Sequence, residues 1–256
     1  SNEERARVGT LYKQESPFVA KKLGAALVAR NIAGHIEQRF LDRPRTWKPL
    51  IYCWRGGKRS GAMAHVLRQV GWPASTLEGG YKSYRRHVVA ELAELPRRFA
   101  YRVVTGATGS GKSRLLEVLA AQGAQVLDLE ALAAHKGSVL GGLPDEAQPS
   151  QKLFESRLLA VFQRLTFDRP VYVEAESRKI GALQVPDALL ESMRASPCLR
   201  IEATDAARVA FLIGDYDYFL ADPASLKAKL DCLRELQSSE TLSRWNELID
   251  ARDWPV

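Results

Sequence analysis

Gly106-Ala107-Thr108-Gly109-Ser110-Gly111-Lys112-Ser113 fits the pattern GxxxxGK[ST]. The apolar run Tyr101-Arg102-Val103-Val104-Thr105 before it reads as a strand, and residues 112–121 after it read as a helix. That context turns a short pattern into a structural statement. Glycines at Gly106, Gly109 and Gly111 let successive backbone N–H groups turn inward as an anion nest. The helix start adds partial positive charge, Lys112 neutralises a terminal phosphate, and Ser110 and Ser113 bring hydroxyls, that of Ser113 suited to Mg²⁺. The loop specifies polyphosphate recognition without specifying hydrolysis, because a diphosphate ester would satisfy the same donors.

Outward from this loop, strand-like and helix-like stretches alternate: 125–129, 151–166, Pro170 to Glu174, a helix near 186–195, and 198–203. Such alternation predicts a parallel sheet flanked by helices. After Thr204 the chain reads as mostly helical, interrupted at Asp215-Tyr216-Asp217-Tyr218, which reads as a packed helix end or turn. At the carboxyl edge of the sheet, Glu174 or Glu176 would orient a magnesium ion or its bound water. Asp128 is the alternative, and a structural cap or hydrogen bond accounts for any one of the three equally well.

Upstream, Pro96 should stop a helix before the strand at 101 begins. The expected organisation is a first domain over 1–90, a linker over 91–99 and a second domain over 100–256. In the first domain Phe18 to Arg30 reads as a helix, and Pro49-Leu50-Ile51-Tyr52 as a short buried strand. A second helix runs from Ser60 to Val70 with apolar Met63, Val66, Leu67 and Val70. Gly71-Trp72-Pro73 ends it, and Ser75-Thr76-Leu77 returns to the sheet.

Between that strand and helix lies Cys53-Trp54-Arg55-Gly56-Gly57-Lys58-Arg59. Arg55, Lys58, Arg59 and the helix start all favour thiolate over thiol, so Cys53 reads as a nucleophile. Cys198, in a strand-like stretch, and Cys232, among helical apolar residues, read as buried core. With no CxxC pair, neither a zinc site nor a disulfide framework is expected. The spacing Cys53-x5-Arg59-Ser60 suits a cysteine phosphatase, here fused to a kinase-like module, and equally a sulfurtransferase cradle.

The 256 residues are 46% apolar and 26% charged, with 12 prolines, a composition that excludes global disorder and a small disulfide scaffold. Neither a membrane span nor a signal peptide is expected, which implies a cytoplasmic protein. Charge is uneven. Residues 1–98 hold 19 Lys+Arg against 8 Asp+Glu, whereas 99–256 hold 18 against 22. The basic half suits either a polyanionic partner or a solvated cationic face.

Leu77-Glu78-Gly79-Gly80-Tyr81-Lys82-Ser83-Tyr84-Arg85, taken with Tyr52 to Ser60, resembles a rhodanese-type domain. Joined to the phosphate loop, it makes the chain similar to the tRNA 2-selenouridine synthase family. The stretches Arg7 to Gln14, His135-Lys136-Gly137-Ser138, Gln148 to Glu155 and Glu174-Ala175-Glu176-Ser177-Arg178-Lys179-Ile180-Gly181 agree with it. The resemblance implies a rhodanese-like α/β domain followed by a P-loop NTPase-like parallel-sheet domain with a helical C-terminal region. The first domain would lack the opening strands of a complete rhodanese, leaving its sheet incomplete and Cys53 less buried. A catalytically impaired tRNA-binding form is then a further alternative. Lys58 stands where the pattern has an apolar residue and should lower the thiol pKa further.

The implied activity replaces the sulfur of wobble 2-thiouridine in tRNA with selenium through an S-geranylated intermediate, using geranyl diphosphate and selenophosphate. The diphosphate belongs at Gly111, Lys112 and Ser113. Cys53 belongs to the selenium step, carrying selenium or contacting selenophosphate, with Arg55 and Arg59 holding the anion and Gly56 and Gly57 shaping the loop. Trp54 either stacks on an unpaired anticodon base or packs in a core. The family-like stretches add His135, Lys136 and Arg178 as supporting residues.

Overall fold

The computed structural model describes residues 1–54, 57–138 and 140–253. The chain divides into two compact units, 1–87 and 88–256.

The first unit opens with helices α1 (Asn2–Gln14) and α2 (Pro17–His35). Ser1 and Glu4 form a capping box at the start of α1, and Ser16 caps α2 ahead of Pro17 at its first position, so local chemistry sets both starts. A π-helical turn follows at Ile36–Phe40. Strand β1 (Leu50–Ile51) pairs in parallel with β2 (Ser75–Thr76), and helix α3 (Lys58–Val70) connects them. Gly71, at φ +104°, closes α3. Ala64, Leu67, Trp72 and Ala74 form the buried cluster here, with Phe40, Trp47, Ile51 and Met63 packed on it. Trp47 meets Trp72 edge-on at 5.4 Å, and the Trp72 indole donates to the Pro44 carbonyl at 3.1 Å. The strand expected to be buried at 49–52 is so only in part: Pro49 is buried and Ile51 half-buried, whereas Leu50 and Tyr52 are exposed, because a two-stranded sheet leaves most of its surface open to water.

Helix α4 (Gly80–Glu94) and a 3-10 turn (Leu95–Arg98) follow, and the division between units falls within α4. The segment expected as a linker, 91–99, is therefore ordered helix and turn. Leu92, Leu95 and Phe99 belong to the core of the second unit.

The second unit is built on β3 (Tyr101–Thr105), β4 (Gln125–Leu127), β5 (Val171–Glu174) and β8 (Cys198–Arg200). All pair in parallel, in the order β4-β5-β3-β8. The connecting elements are α5 (Lys112–Ala121), α6 (Leu129–Ala133), α7 (Gln151–Phe162), the antiparallel pair β6 (Lys179–Ile180) and β7 (Leu183–Gln184), and α8 (Asp187–Arg194). The core packs Tyr101, Val103, Leu127, Val171 and Val173 from the strands against Leu158, Phe162, Leu189 and Met193 from the helices. Two glutamines hold the loops together. Gln148 donates to the Ala133 and Ile180 carbonyls, and Gln151 exchanges two 2.8 Å bonds with the Gln184 backbone.

Helices α9 (Asp205–Asp215), α10 (Asp217–Ala221), α11 (Pro223–Leu230) and α12 (Ser239–Ala251) complete the chain. Cys198 and Cys232 are exposed rather than buried. β8 is the edge strand of its sheet, so Cys198 lacks a neighbour on one side, and Cys232 falls in an exposed 3-10 turn at Asp231–Leu233. Among the described residues no helix is long and apolar enough to cross a membrane.

Candidate functional site

Two sites emerge, one in each unit. In the second unit β3 runs into the glycine loop, and α5 begins at Lys112 with Gly111 as its cap. Gly109 and Gly111 both have φ +80°, a backbone that only glycine adopts without strain. Gly109 is also hemmed in: a Cβ there would lie 2.8 Å from Leu212 Cγ and 2.9 Å from the Arg208 carbonyl. A Cβ at Gly106 would lie 2.5 Å from Ser110 Oγ, a buried hydroxyl with no hydrogen-bond partner among the described residues. Lys112 Nζ folds back over the loop, 3.1 Å from the Gly106 carbonyl.

The loop borders a cavity of about 250 Å³ whose lining includes Gly109, Lys112, Ser113, Glu130, Lys136, Glu176, Phe211 and Tyr216. Ser113 Oγ donates to Glu130 Oε2 at 3.1 Å. Burial, then the neighbouring Glu176 charge, raises the Glu130 carboxyl. Burial also raises Glu176. The two carboxyls thus form a pair that holds a proton more readily than free carboxylates do.

The expected carboxylates part ways here. Glu176 faces the cavity. Glu174 does not: it is 1% exposed, and its Oε1 accepts the Glu130 backbone N–H at 2.8 Å. Asp128 caps α6, accepting from the Ala131 N–H at 2.8 Å. Glu130, two residues past that cap, is the carboxylate that reaches Ser113. Arg178 pairs at the surface with Asp187 at 2.8 Å and does not line the cavity. His135 Nδ1 accepts the Gly137 N–H at 3.2 Å, and it too lies off the lining.

Lys136 does reach the cavity, where it pairs with Asp215 at 2.9 Å and lies 4.6 Å from the Tyr216 ring centre. Ser138 Oγ and Tyr216 OH are 2.9 Å apart. The stretch 215–218, expected as a packed helix end or turn with no chemistry assigned, is the junction of α9 and α10, and its Asp215 and Tyr216 line the cavity. Arg208 reaches the loop as well, donating to the Thr108 carbonyl at 3.0 Å.

Burial, followed by the Asp128 charge, pushes Glu174 up to about 8. Its folded value therefore exceeds the ordinary carboxylate value, so the folded state binds the extra proton and stability falls as pH rises from about 4.5 through 8. Glu174→Gln is expected to flatten that slope and stabilise the protein at pH 8 by roughly 4 kcal/mol. Urea melts between pH 5 and 8.5 measure it.

In the first unit, Cys53 is 8% exposed and sits between the starts of two helices. Ser60, in the first turn of α3, donates to Cys53 Sγ at 3.4 Å, and the Tyr81 N–H at the start of α4 donates to the Cys53 carbonyl at 3.0 Å. Burial works to raise the thiol pKa, but the Ser60 hydroxyl, the Ser60 and Gly57 backbones and the Arg59 charge outweigh it, and the net shift is downward. Gly57, at φ +66°, caps α3. Arg55 and Gly56 lie outside the described residues. Trp54 is exposed and stacks on Tyr81, centroids 4.7 Å apart.

Gly80 fixes this arrangement: at φ +60°, a Cβ would fall 2.4 Å from the Cys53 carbonyl oxygen. Gly80→Ala is expected to destabilise the first unit by about 2 kcal/mol or more and to displace Cys53, read by thermal melting and by slower thiol alkylation.

A glycine loop at the mouth of a parallel strand, opening directly into a helix beside a lysine- and carboxylate-lined cavity, defines a phosphate-loop type of α/β domain. The family model described as "tRNA 2-selenouridine synthase AAA domain" matches residues 99–240, and the chain belongs to the tRNA 2-selenouridine synthase family. It is 37% identical over 223 residues to the tRNA 2-selenouridine synthase of Nitrosomonas europaea, covering 84% of this chain and 57% of that protein. It is 38% identical over 224 residues to that of Nitrosomonas eutropha, covering 84% and 56%. It is 33% identical over 247 residues to that of Bdellovibrio bacteriovorus, covering 92% and 62%. The chain thus spans less than two thirds of the length of these relatives. No solved structure matches it.

Proposed function

We propose that the chain acts in tRNA as a transferase, replacing the sulfur of wobble 2-thiouridine with selenium. The first unit is read as a rhodanese-like module and the second as the site of a diphosphate leaving group. The sulfur of 2-thiouridine attacks C1 of geranyl diphosphate, a C–S bond forms, the C–O bond breaks and diphosphate departs. Selenium of selenophosphate then bonds to C2 of the base, the geranyl thiolate leaves and takes up a proton, and water cleaves the Se–P bond to release phosphate.

One observation carries this reading: a thiol held below its usual pKa between two helix starts occurs in the same chain as a glycine loop with Lys112 folded over it. Such fixed donors stabilise charge as it develops on a departing phosphate oxygen. Cys53 serves the second step in one of two ways: its thiolate adds to C2 and expels the geranyl thiolate, after which selenium of selenophosphate displaces the cysteine thiolate, or it contacts selenophosphate; Arg55 and Arg59 hold the anion. The hard oxygens of Ser113, Glu130 and Glu176 suit Mg²⁺, which typically takes one or two carboxylates together with substrate phosphates. When bound, the ion would neutralise phosphate charge.

The test is incubation of the protein with thiolated tRNA and geranyl diphosphate, with and without selenophosphate, followed by mass spectrometry of the nucleosides. A geranyl adduct without selenophosphate, and 2-selenouridine with it, is the expected result. Unchanged 2-thiouridine in both reactions overturns the reading.

A further inference from the structure

The rings beside Cys53 form a graded series on one surface of the first unit. Trp54 follows the cysteine directly and lies nearly parallel to Tyr81, at 14° with centroids 4.7 Å apart. Tyr84 continues the series one turn along α4, 6.0 Å from Tyr81. Trp54 is 45% and Tyr84 38% exposed, so two large rings meet water where a core would have covered them. The Tyr81 backbone also donates to the Cys53 carbonyl, which ties the series to the cysteine at both the chain and the hydrogen-bond level.

The charges that α4 carries beside the rings have one sign. Lys82 and Arg86 lie one turn apart on α4, both exposed. Arg86 donates to the Ser83 hydroxyl at 3.1 Å, a neutral partner that leaves its charge uncompensated. Along α4 no acidic residue occurs before Glu91, and residues 1–87 carry 17 Lys+Arg against 6 Asp+Glu. Exposed rings flanked by cations suit an unpaired nucleic-acid segment, because every base offers a face for stacking and every linkage a phosphate. An apolar protein partner would favour aliphatic neighbours and no such excess of charge.

We propose that Trp54, Tyr81 and Tyr84 form a stacking platform for an unpaired RNA segment, with Lys82 and Arg86 taking its phosphates, so that a splayed-out base is held beside Cys53. The platform rests on the reading of the chain as acting on tRNA, and it adds the surface by which the nucleoside is presented.

The test measures binding of the full chain to an anticodon stem–loop and to a fully paired RNA duplex of equal charge, by fluorescence anisotropy. Tyr84→Ala and Trp54→Ala are expected to weaken stem–loop binding on the order of tenfold each while leaving duplex binding unchanged. Tyr84→Phe and Trp54→Phe, which keep a ring, should retain it and guard against misfolding. Lys82→Ala with Arg86→Ala should weaken both RNAs and flatten the salt dependence. Stem–loop binding unaffected by the ring substitutions, equal losses on duplex and loop, or no RNA binding by the unsubstituted chain each overturns the platform. If geranylation and selenation proceed while the ring variants bind normally, the platform alone fails. If neither reaction occurs, the transferase reading fails, and ring-dependent stem–loop binding then still supports the platform.

Discussion

Lys112→Ala is expected to slow geranyl transfer by about 10²- to 10³-fold while leaving the melting temperature nearly unchanged. The size of the effect follows from how the cavity's cations are spent. Lys136 is already committed to Asp215 at 2.9 Å, so much of its charge is cancelled before any ligand arrives. Lys112 instead donates to the neutral carbonyls of Gly106 and Ala107, at 3.1 and 3.5 Å. Within the cavity it acts on the Glu176 carboxyl, which makes no direct ion pair with it, so most of its charge remains for a departing diphosphate, and it exchanges weak carbonyl bonds for charge-assisted ones. Lys136→Ala should therefore cost far less, on the order of tenfold, since it removes a cation together with the reason for Asp215's placement. Diphosphate should raise the melting temperature of the unsubstituted protein, and that shift should vanish in Lys112→Ala. Equal rates for Lys112→Ala and the unsubstituted chain would show that the leaving group departs elsewhere.

What the sequence made legible was whatever local chemistry determines. The α5 helix occupies 112–121 as its pattern predicts, because a glycine loop and an apolar period specify it without distant partners. Gly71 ends α3 for the same reason. The carboxylates were harder to read. An aspartate after a strand is both a good metal ligand and a good cap, and only the bond to the Ala131 N–H makes Asp128 a cap. Glu174 sits at a strand end that suits catalysis, yet the core closes over it. Glu130 carried no motif, since its role depends on Ser113 lying 17 residues upstream. Asp215 and Tyr216 are farther still from the glycine loop and join its cavity through the fold of α9. Cys198 lies in a strand-like stretch yet is exposed, because strand-like residues do not reveal an edge position. In the first unit the strand–loop–helix around Cys53 was readable, whereas the exposure of Leu50 and Tyr52 depends on how few strands the sheet contains.

Cys53→Ser is expected to abolish selenium incorporation, with a loss of 10³-fold or more, while geranylated tRNA still forms and accumulates. A hydroxyl keeps the size and the Ser60 contact but is a far weaker nucleophile at neutral pH than a thiol whose pKa is depressed. The depression has a separable cause. Burial pushes the Cys53 thiol up, and the hydrogen bond from Ser60 is the first of the influences that bring it below the ordinary value. Ser60→Ala should then raise the thiol pKa, so that the pH profile of alkylation, whose rate follows the thiolate, moves to higher pH and the rate at pH 7 falls several-fold. Cys198 and Cys232 are exposed, so the profile is best recorded with both changed to serine, substitutions that disturb no core. Selenation by Ser60→Ala should be slow at pH 7 and recover as pH approaches 9, a rescue that a merely structural role for Ser60 would not produce. Selenation that survives Cys53→Ser at its original rate would remove the thiol from the reaction and leave the first unit as a surface for RNA alone.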